Sequence, residues 1–349
     1  MKIGIDVSPL QSGHKVRGVG FYLENLKRSL QKDFPDNEYI FFTKEEPLSQ
    51  KVDIVHYPYF DPFFATLPLL KKYKQVVTVH DLTPLVFPEH FPSGLRGKLV
   101  WQMQKFHLQR SDKVITDSEA SKKDIVRLAG IAPDKIDVVY LAAGEEFKQM
   151  ENGKWKIEIQ KKYSLPESFV LYVGDVTWNK NLPRLIKAIQ GIDLPLVMVG
   201  KSLVQKDFDR MNPWNKDLVE INKLAEGDKR VMRLGFVPTE DLVALYNAAT
   251  VSVMPSIYEG FGLPIIEAMS CGTPVITTKG GSLQEVAGDA ALYVDPYSVD
   301  SIANGIREVL STKKLQVELS AKGLIQVKKF NWKKTAQQTI ESYKKALRG

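Results

Sequence analysis

The stretch Met254–Ile276, MPSIYEGFGLPIIEAMSCGTPVI, decides the fold. It leaves the buried strand Val251–Met254, crosses a loop carrying Gly260 and Gly262, and enters a helix over Pro264–Ser270. Pro264 suits the opening of that helix, where its missing N–H is not needed. A further strand, Pro274–Thr277, follows at once. The same alternation extends in both directions. Upstream, strands are predicted at Lys2–Val7, Tyr39–Thr43, Asp53–Tyr57, Gln75–Val79, Lys113–Thr116 and Ile136–Val139, with helices at Val19–Lys32, Gly94–Arg110 and Glu119–Ala129. The second half adds strands at Phe169–Val173, Leu196–Val199, Val231–Leu234 and Ala291–Val294. Its helices are predicted at Leu182–Gln190, Leu218–Glu226, Thr239–Asn247 and Val299–Leu310. Serial strand–helix–strand units imply α/β architecture with parallel sheets covered on both faces. Two such sets imply two doubly wound, Rossmann-like domains. The polar run Gly144–Ser168 reads as their boundary, giving domains over 1–165 and 166–330. Residues 331–349 form an amphipathic terminal helix, with Trp332, Ala336, Ile340, Tyr343 and Leu347 near helical spacing, expected to pack back across that boundary.

The 349 residues suffice for two cores, and 44% hydrophobic with 26% charged residues is a globular balance. No run approaches the roughly 18 to 20 apolar residues that cross a bilayer. The opening MKIGIDVSPL reads directly into a strand, so a cytoplasmic protein is expected. The single cysteine, Cys271, excludes an internal disulfide and reads as core packing. A net charge of +7 without an arginine-rich tail or basic-aromatic cluster argues against nucleic acid and suits anionic small substrates or an anionic membrane face.

In the deciding stretch, Gly260 and Gly262 let the backbone approach a ligand, with the amides of Phe261, Gly262 and Leu263 aimed outward. Free amides at a helix start attract anions and hydroxyls. Glu259 and Glu267, eight residues apart, can accept hydrogen bonds from sugar and ribose hydroxyls. The plainer reading is a turn with carboxylates stabilised by the helix dipole. The place at the carboxyl end of a strand, where such sheets bind ligands, favours a site.

Glu259-x7-Glu267 in EGFGLPIIEAMSCGTPV, followed by Gly280–Val286 (GGSLQEV) and ALYVDP at Ala291–Pro296, resembles the signature of retaining GT-B glycosyltransferases of family four. The resemblance spans essentially the whole chain and is strongest from Phe169 to Leu310. It implies two Rossmann-like domains facing a central cleft, a nucleotide-sugar donor held mainly by the second, and an acceptor by the first. It implies that Glu259 and the amides of Gly260, Phe261, Gly262 and Leu263 hold the donor sugar, and that Glu267 binds the ribose.

Leu171–Leu182, LYVGDVTWNKNL, ends a strand at Gly174 and brings Lys180 to a helix start. A lysine beside free helix amides can neutralise a departing diphosphate without a metal. The resembling enzymes usually carry an arginine in this loop too, where this chain has Asn179 or Asp175. The diphosphate then takes Arg17 or Arg184 as its second cation, or makes do with amides. Arg17–Tyr22 (RGVGFY) lacks the third glycine of a dinucleotide fingerprint. By resemblance, Gly18 and Gly20 present amides to the donor phosphates. His80 ends the apolar strand of VVTVHDLTPL, and by resemblance it touches the donor sugar and assists transfer.

Asp207-Phe208-Asp209 matches the short metal–diphosphate motif of another sugar-transferase architecture but follows VQK in a loop-like stretch, so no metal site is assigned. The helix within Leu95–Lys113 carries Arg96, Lys98, Lys105, Arg110 and Lys113 against Asp112, with Leu95, Leu99, Met103 and Phe106 on one stripe and Trp101 off it. It reads as a core-facing helix with a basic outer face, or as a foot on the anionic inner face of a membrane. The function expected is metal-independent, retaining transfer of a mannose- or glucose-type hexose from a GDP- or UDP-linked donor to a glycan or lipid-linked acceptor. No cofactor beyond that substrate is expected. The alternatives are a catalytically silent nucleotide-sugar binder and an NAD-dependent dehydrogenase.

Overall fold

The computed structural model describes residues 1–16, 18–151 and 153–349. The chain divides into two compact units, Met1–Ala142 with Phe330–Gly349, and Ala143–Lys329. The first carries six parallel strands: β1 (Lys2–Asp6), β2 (Glu38–Phe42), β3 (Ile54–Tyr57), β4 (Lys74–Thr78), β5 (Lys113–Thr116) and β6 (Ile136–Val138), in the order β2-β1-β3-β4-β5-β6. Its helices are α1 (Gly18–Asp33), the short α2 (Thr83–Val86), α3 (Gly94–Gln109) and α4 (Glu119–Asp124), which runs on through a wider turn over Ile125–Ala129. The strands are short and apolar because both sheet faces are covered, as parallel sheets require. Val77, Val79, Val114, Ile125 and Leu108 share one core.

The second unit opens with α5 (Lys154–Tyr163) and continues β7 (Val170–Val173), α6 (Leu182–Gln190), β8 (Leu196–Val199), α7 (Lys216–Leu224), β9 (Val231–Gly235), α8 (Thr239–Ala248) and β10 (Val251–Met254). There follow α9 (Leu263–Ser270), β11 (Val275–Thr277), α10 (Leu283–Ala287), β12 (Ala291–Tyr293), α11 (Val299–Ser311) and α12 (Lys313–Gln326). The strand order is β12-β11-β10-β7-β8-β9. The chain therefore winds outward from β7 in one direction, then returns to β10 and winds out in the other. The loops after β7 and β10 flank this switch point, where open parallel sheets hold ligands.

The division falls between Ala142 and Ala143 rather than at residue 165. The segment read as a polar linker contains α5, which packs on α8: the Lys162 ammonium and the Tyr163 hydroxyl both donate to Asp241, each at 2.6 Å. Only Ile159 of α5 is buried, so the helix shows little apolar pattern. The last helix, α13 (Trp332–Arg348), leaves the second unit and packs on α1, β4 and β5 of the first. Trp332 lies against Phe21 and Tyr22, with ring centroids 6.1 and 6.2 Å away. The Tyr343 hydroxyl meets His56 Nδ1 at 2.8 Å, and His56 Nε2 meets the Thr78 hydroxyl at 2.8 Å. Burial pushes His56 down to about 3, so it is neutral and shares one donor and one acceptor between these partners.

Helix α3 departs most from expectation. The stripe Leu95, Leu99, Met103 and Phe106 does not face the core: Leu95, Leu99 and Phe106 are exposed, and Gly97, Gln104 and Leu108 are buried instead. The core-facing reading of that stripe is corrected accordingly. Gln104 anchors the inversion, its side-chain oxygen accepting from the Thr66 and Leu67 amides and from the Thr66 hydroxyl.

Candidate active site

In the second unit, adjacency of β7 and β10 brings together the two loops singled out in the sequence. Val170 and Leu171 pair with Val251 and Ser252, so the chain after Gly174 and the chain after Met254 leave the sheet side by side. A tight turn over Trp178–Lys180 ends at Asn181, which is left-handed at φ 61° and starts α6. The Asn181 side chain donates to the carbonyls of Pro255 and Pro296, and the Asn179 side chain donates to the Tyr258 carbonyl. The Ile257 amide in turn donates to the Asn179 carbonyl at 2.7 Å. Asn179, where the resembling enzymes often have arginine, thus ties one loop to the other. Asp175 is bound to the Ser202 amide and hydroxyl.

This stitching places the Lys180 ammonium 2.8 Å from Glu259 Oε2, both side chains largely shielded from solvent. The other oxygen, Glu259 Oε1, is buried with no hydrogen-bond partner among the described residues. A buried, unsatisfied carboxylate oxygen is unfavourable unless a donor is brought to it. Gly262, at φ 103° and ψ 47°, then turns the chain into α9, in whose first turn Pro264 has no N–H and the Ile265 amide donates to the Gly262 carbonyl at 2.9 Å. Pro264 stands second in this helix, one place later than expected. The loop is clamped from behind by Ser282, whose hydroxyl donates to the carbonyls of Glu259 and Phe261. Gly281, at φ 63°, passes so close that a Cβ there would collide with the Glu259 carbonyl.

Glu267 is also buried, but one of its oxygens accepts from the Tyr246 hydroxyl at 2.9 Å. Burial, with a smaller contribution from Glu146, pushes its carboxyl up to about 7 against the Tyr246 bond. The two glutamates therefore differ in kind: Glu259 is paired with a cation and Glu267 with a neutral hydroxyl. Arg184 turns its guanidinium to the Asn181 side chain and over the Tyr297 ring, at the edge of a 260 Å³ cavity between α6 and α7 that includes neither glutamate. Arg17 lies outside the described residues. Asp207 and Asp209 lie in the exposed loop between β8 and α7, where Asp209 accepts from the Met211 amide. Cys271 is buried and its thiol is pushed up to about 12 by burial, as a packing residue should be.

In the first unit, His80 follows β4 and is gripped from both neighbouring strand ends. Its Nδ1 lies 2.7 Å from Asp117, which follows β5, and its Nε2 lies 3.1 Å from the carbonyl of Pro58, which follows β3. The Tyr22 ring stands edge-on to it at 4.8 Å. Burial alone would lower the His80 pKa, but the Asp117 charge and hydrogen bond, helped by Asp81 and the Pro58 carbonyl, reverse this and the net direction is up. With Asp117 ionised, both ring nitrogens face acceptors and an imidazolium satisfies them together, while burial also pushes the Asp117 carboxyl up. Gly18 and Gly20 are the first and third residues of α1, within its first turn, and Tyr22 of the same helix carries the contact to His80. Asp117 was not picked out from the sequence: before Ser118, which caps α4, it reads as ordinary turn chemistry. Tyr246 gave no signal either, lying inside an apolar helix.

Two family models cover most of the chain: glycosyltransferase family 4 matches residues 14–143, and glycosyl transferases group 1 matches residues 153–326. O-antigen chain mannosyltransferase B of Escherichia coli is 32% identical over 84% of this chain and 75% of its own. The chain belongs to family 4 of the GT-B glycosyltransferases. Membership excludes the dehydrogenase alternative and makes this chain a glycosyltransferase, against the silent-binder alternative. Serotype-specific mannosyltransferase WbdA of Escherichia coli is 30% identical over 79% of this chain, which spans only 34% of that longer protein. Among solved structures, sucrose-phosphate synthase of Thermosynechococcus elongatus superposes with TM-score 0.78 at 21% identity, over 99% of this chain and 98% of that one. Anabaena HepE in complex with UDP-glucose gives 0.73 at 20% identity, over 98% of each chain. At such identity these structures speak for the fold.

Proposed function

We propose that this glycosyltransferase moves a hexose, with mannose from GDP-mannose as the first choice, onto a glycan or lipid-linked glycan acceptor with retention at the anomeric carbon. UDP-sugars are the second choice. The observation that carries this reading is the Lys180–Glu259 pair with its unpartnered Glu259 Oε1, at the switch point of the second sheet. A sugar hydroxyl supplies the donor that Oε1 lacks, while the diphosphate draws the Lys180 ammonium toward itself. As the leaving group departs, its charge is met by Lys180 and the positive N-terminal end of α9 without a divalent ion. Glu267 holds the ribose. His80, protonated on both nitrogens, donates to the sugar by turning its Nε2 N–H from the Pro58 carbonyl to a sugar hydroxyl, not by accepting a proton, and departure and attack share one face of the sugar. The names of the mannosyltransferase relatives support mannose, and the UDP-glucose held by HepE supports a nucleotide-sugar donor. The protein is proposed to work in the cytoplasm, in peripheral contact with the inner face of the membrane.

The test begins with thermal shift against GDP, UDP, GDP-mannose and UDP-glucose. A ligand at about a hundred times its Kd adds roughly 2.7 kcal/mol. Transfer is then followed with chelator and with added manganese, and a chelator-dead enzyme rescued by manganese overturns the metal-free clause. Steady-state kinetics of Glu259→Gln and Glu267→Gln separate the carboxylates. Glu267→Gln should raise KM with modest change in kcat, as loss of uniform binding does. Glu259→Gln should lower kcat, because positive charge grows beside it only in the transition state. Equal kcat losses would reverse the assignment.

A further inference from the structure

The 260 Å³ cavity beside Arg184 lies where α6, α7 and α11 begin, with Trp178 of the Lys180 loop in its wall. None of Lys180, Glu259 and Glu267 lines it, so it is separate from the residues proposed to hold the donor. Asp217, in the first turn of α7, is its unusual member. It is 7% exposed, yet among the described residues no hydrogen bond or ion pair reaches its carboxylate. Burial, and next the charge of Glu220, push that carboxyl up to about 6, against the pull of Lys216 and Arg184. The helix dipole favours an acid at this position but does not explain why it is buried without donors.

The other charges of the cavity are arranged around this acid without serving it. Lys187 is paired with Glu220 at 2.8 Å. The Arg184 guanidinium donates to the Asn181 side chain at 2.8 Å and lies over the Tyr297 ring, which leaves most of its N–H groups for another acceptor. The cavity therefore offers one strong acceptor, Asp217, beside cationic donors at Arg184 and Lys216. An anion here would face Asp217, and a cation would face Arg184 and Lys216. A neutral polyol meets both, because its hydroxyls donate to the carboxylate and accept from the cations. Trp178 supplies an aromatic wall of the kind that covers the C–H face of a sugar. Pockets for drug-sized ligands begin at about 300 Å³, so this one has room for a single ring.

We infer that this cavity holds one hexose ring of a neutral glycan chain, with Asp217 accepting from its hydroxyls and Arg184 and Lys216 donating to them. It is a second sugar site on the second unit, apart from the donor residues. That the chain is the acceptor or its lengthened product rests on the transfer reading above; the recognition of a sugar ring does not. The place has a consequence for turnover. Trp178 and Asn181 belong to the turn that carries Lys180, and Arg184 is bound to Asn181, so a chain held here is anchored against that turn.

The full chain, without nucleotide, is titrated by calorimetry and saturation-transfer NMR with α-linked mannotriose and glucotriose, with methyl α-mannoside, and with inorganic phosphate as the anion control. The expected result is that a trisaccharide binds and that Asp217→Ala weakens this binding at least about tenfold, as loss of a hydrogen bond to a charged group does. Glu259→Gln should leave it intact. Asp217 has no internal partner, so the melting temperature of Asp217→Ala should hold; Asp217→Asn, which keeps the shape, should show a smaller loss of binding. In transfer assays Asp217→Ala should raise KM about tenfold for a trisaccharide acceptor and leave kcat, and KM for a single-sugar acceptor, unchanged. A chain that transfers sugar but binds no trisaccharide through Asp217 overturns the inference and leaves the transfer reading standing. A chain that transfers nothing yet binds through Asp217 does the reverse. Phosphate binding that Asp217→Ala strengthens assigns the cavity to an anion and overturns the inference. Methyl α-mannoside binding that depends on Asp217, with acceptor KM unmoved, assigns it to a free monosaccharide and equally overturns it.

Discussion

Lys180 illustrates how a surface-type residue becomes part of a site: its ammonium is held by a buried carboxylate and shielded by two loops. Lys180→Ala should lower kcat on the order of a hundredfold, about 3 kcal/mol, because the lost charge matters most as the diphosphate departs. Near-normal turnover at saturating donor would remove it from that role. Glu267 makes a separate prediction through its proton. Its carboxyl titrates near 7 in the folded protein against 4.5 as the ordinary value, so the native state holds a proton that the unfolded chain has already released. The associated stability is present below about pH 4.5 and is lost as pH rises toward 7, on the order of 3 kcal/mol in all. Glu267→Gln keeps the Tyr246 bond and cannot ionise, so its melting temperature relative to the parent should climb between pH 5 and pH 8. Parallel curves would mean that Glu267 is not the titrating group. His80 has the same sense in a higher pH window: its folded pKa is raised, so its contribution is full below about 6.5 and fades as pH rises through the folded value. Asp117→Asn removes the charge that outweighs burial, and the His80 ring proton resonances should then titrate below 6.5 with kcat reduced. An unmoved midpoint would mean that Asp117 does not set the state of His80.

At the scale of elements, the placement of the site follows from strand order, and strand order from which apolar runs the chain can bury. Gly260, Gly262 and Lys180 were legible because they stand just past buried runs, where a loop at a strand end has a ligand-facing side. Asp117, Pro58 and Tyr246 were not, because each acquires its meaning from a partner 20 to 40 positions away that only the sheet brings near. Periodicity located α3 but misjudged its faces, since counting apolar residues cannot know that the side-chain oxygen of Gln104 would find donors on a neighbouring segment. The same blindness hid α5, whose docking is polar. α13 was legible as an amphipathic helix, yet its buried hydrogen bonds show what holds it. Tyr343→Phe leaves His56 Nδ1 buried without its partner and should destabilise the protein by about 1 to 3 kcal/mol. Denaturant unfolding measures this, and a change within experimental error would mean that the hydrogen-bond chain through His56 is not structural.

At the scale of the molecule, the two units differ in how the chain builds them. The second is continuous, Ala143–Lys329, and contains its complete sheet, its own core and every residue of the Lys180–Glu259–Glu267 set. The first is discontinuous: it needs Phe330–Gly349, contributed only after the second has been made. Without α13, Trp332 no longer covers Phe21 and Tyr22, and His56 loses Tyr343, so the layer beneath His80 opens to water. Residues 143–329 expressed alone should therefore fold cooperatively and still bind the donor nucleotide, because the partners that Glu267, Tyr246 and Lys180 have among the described residues lie within them. They should show no transfer, since His80 and the proposed acceptor side are absent. Residues 1–142 alone should fail to fold, and joining 330–349 to them by a flexible linker should restore a cooperative transition. Circular dichroism melting of the three fragments, with calorimetric titration of GDP and UDP into 143–329, gives the comparison. A cooperative melt for 1–142 matching that of the fusion would show that α13 is an accessory to the first unit, and a folded 143–329 that binds neither nucleotide would move the donor site off the second.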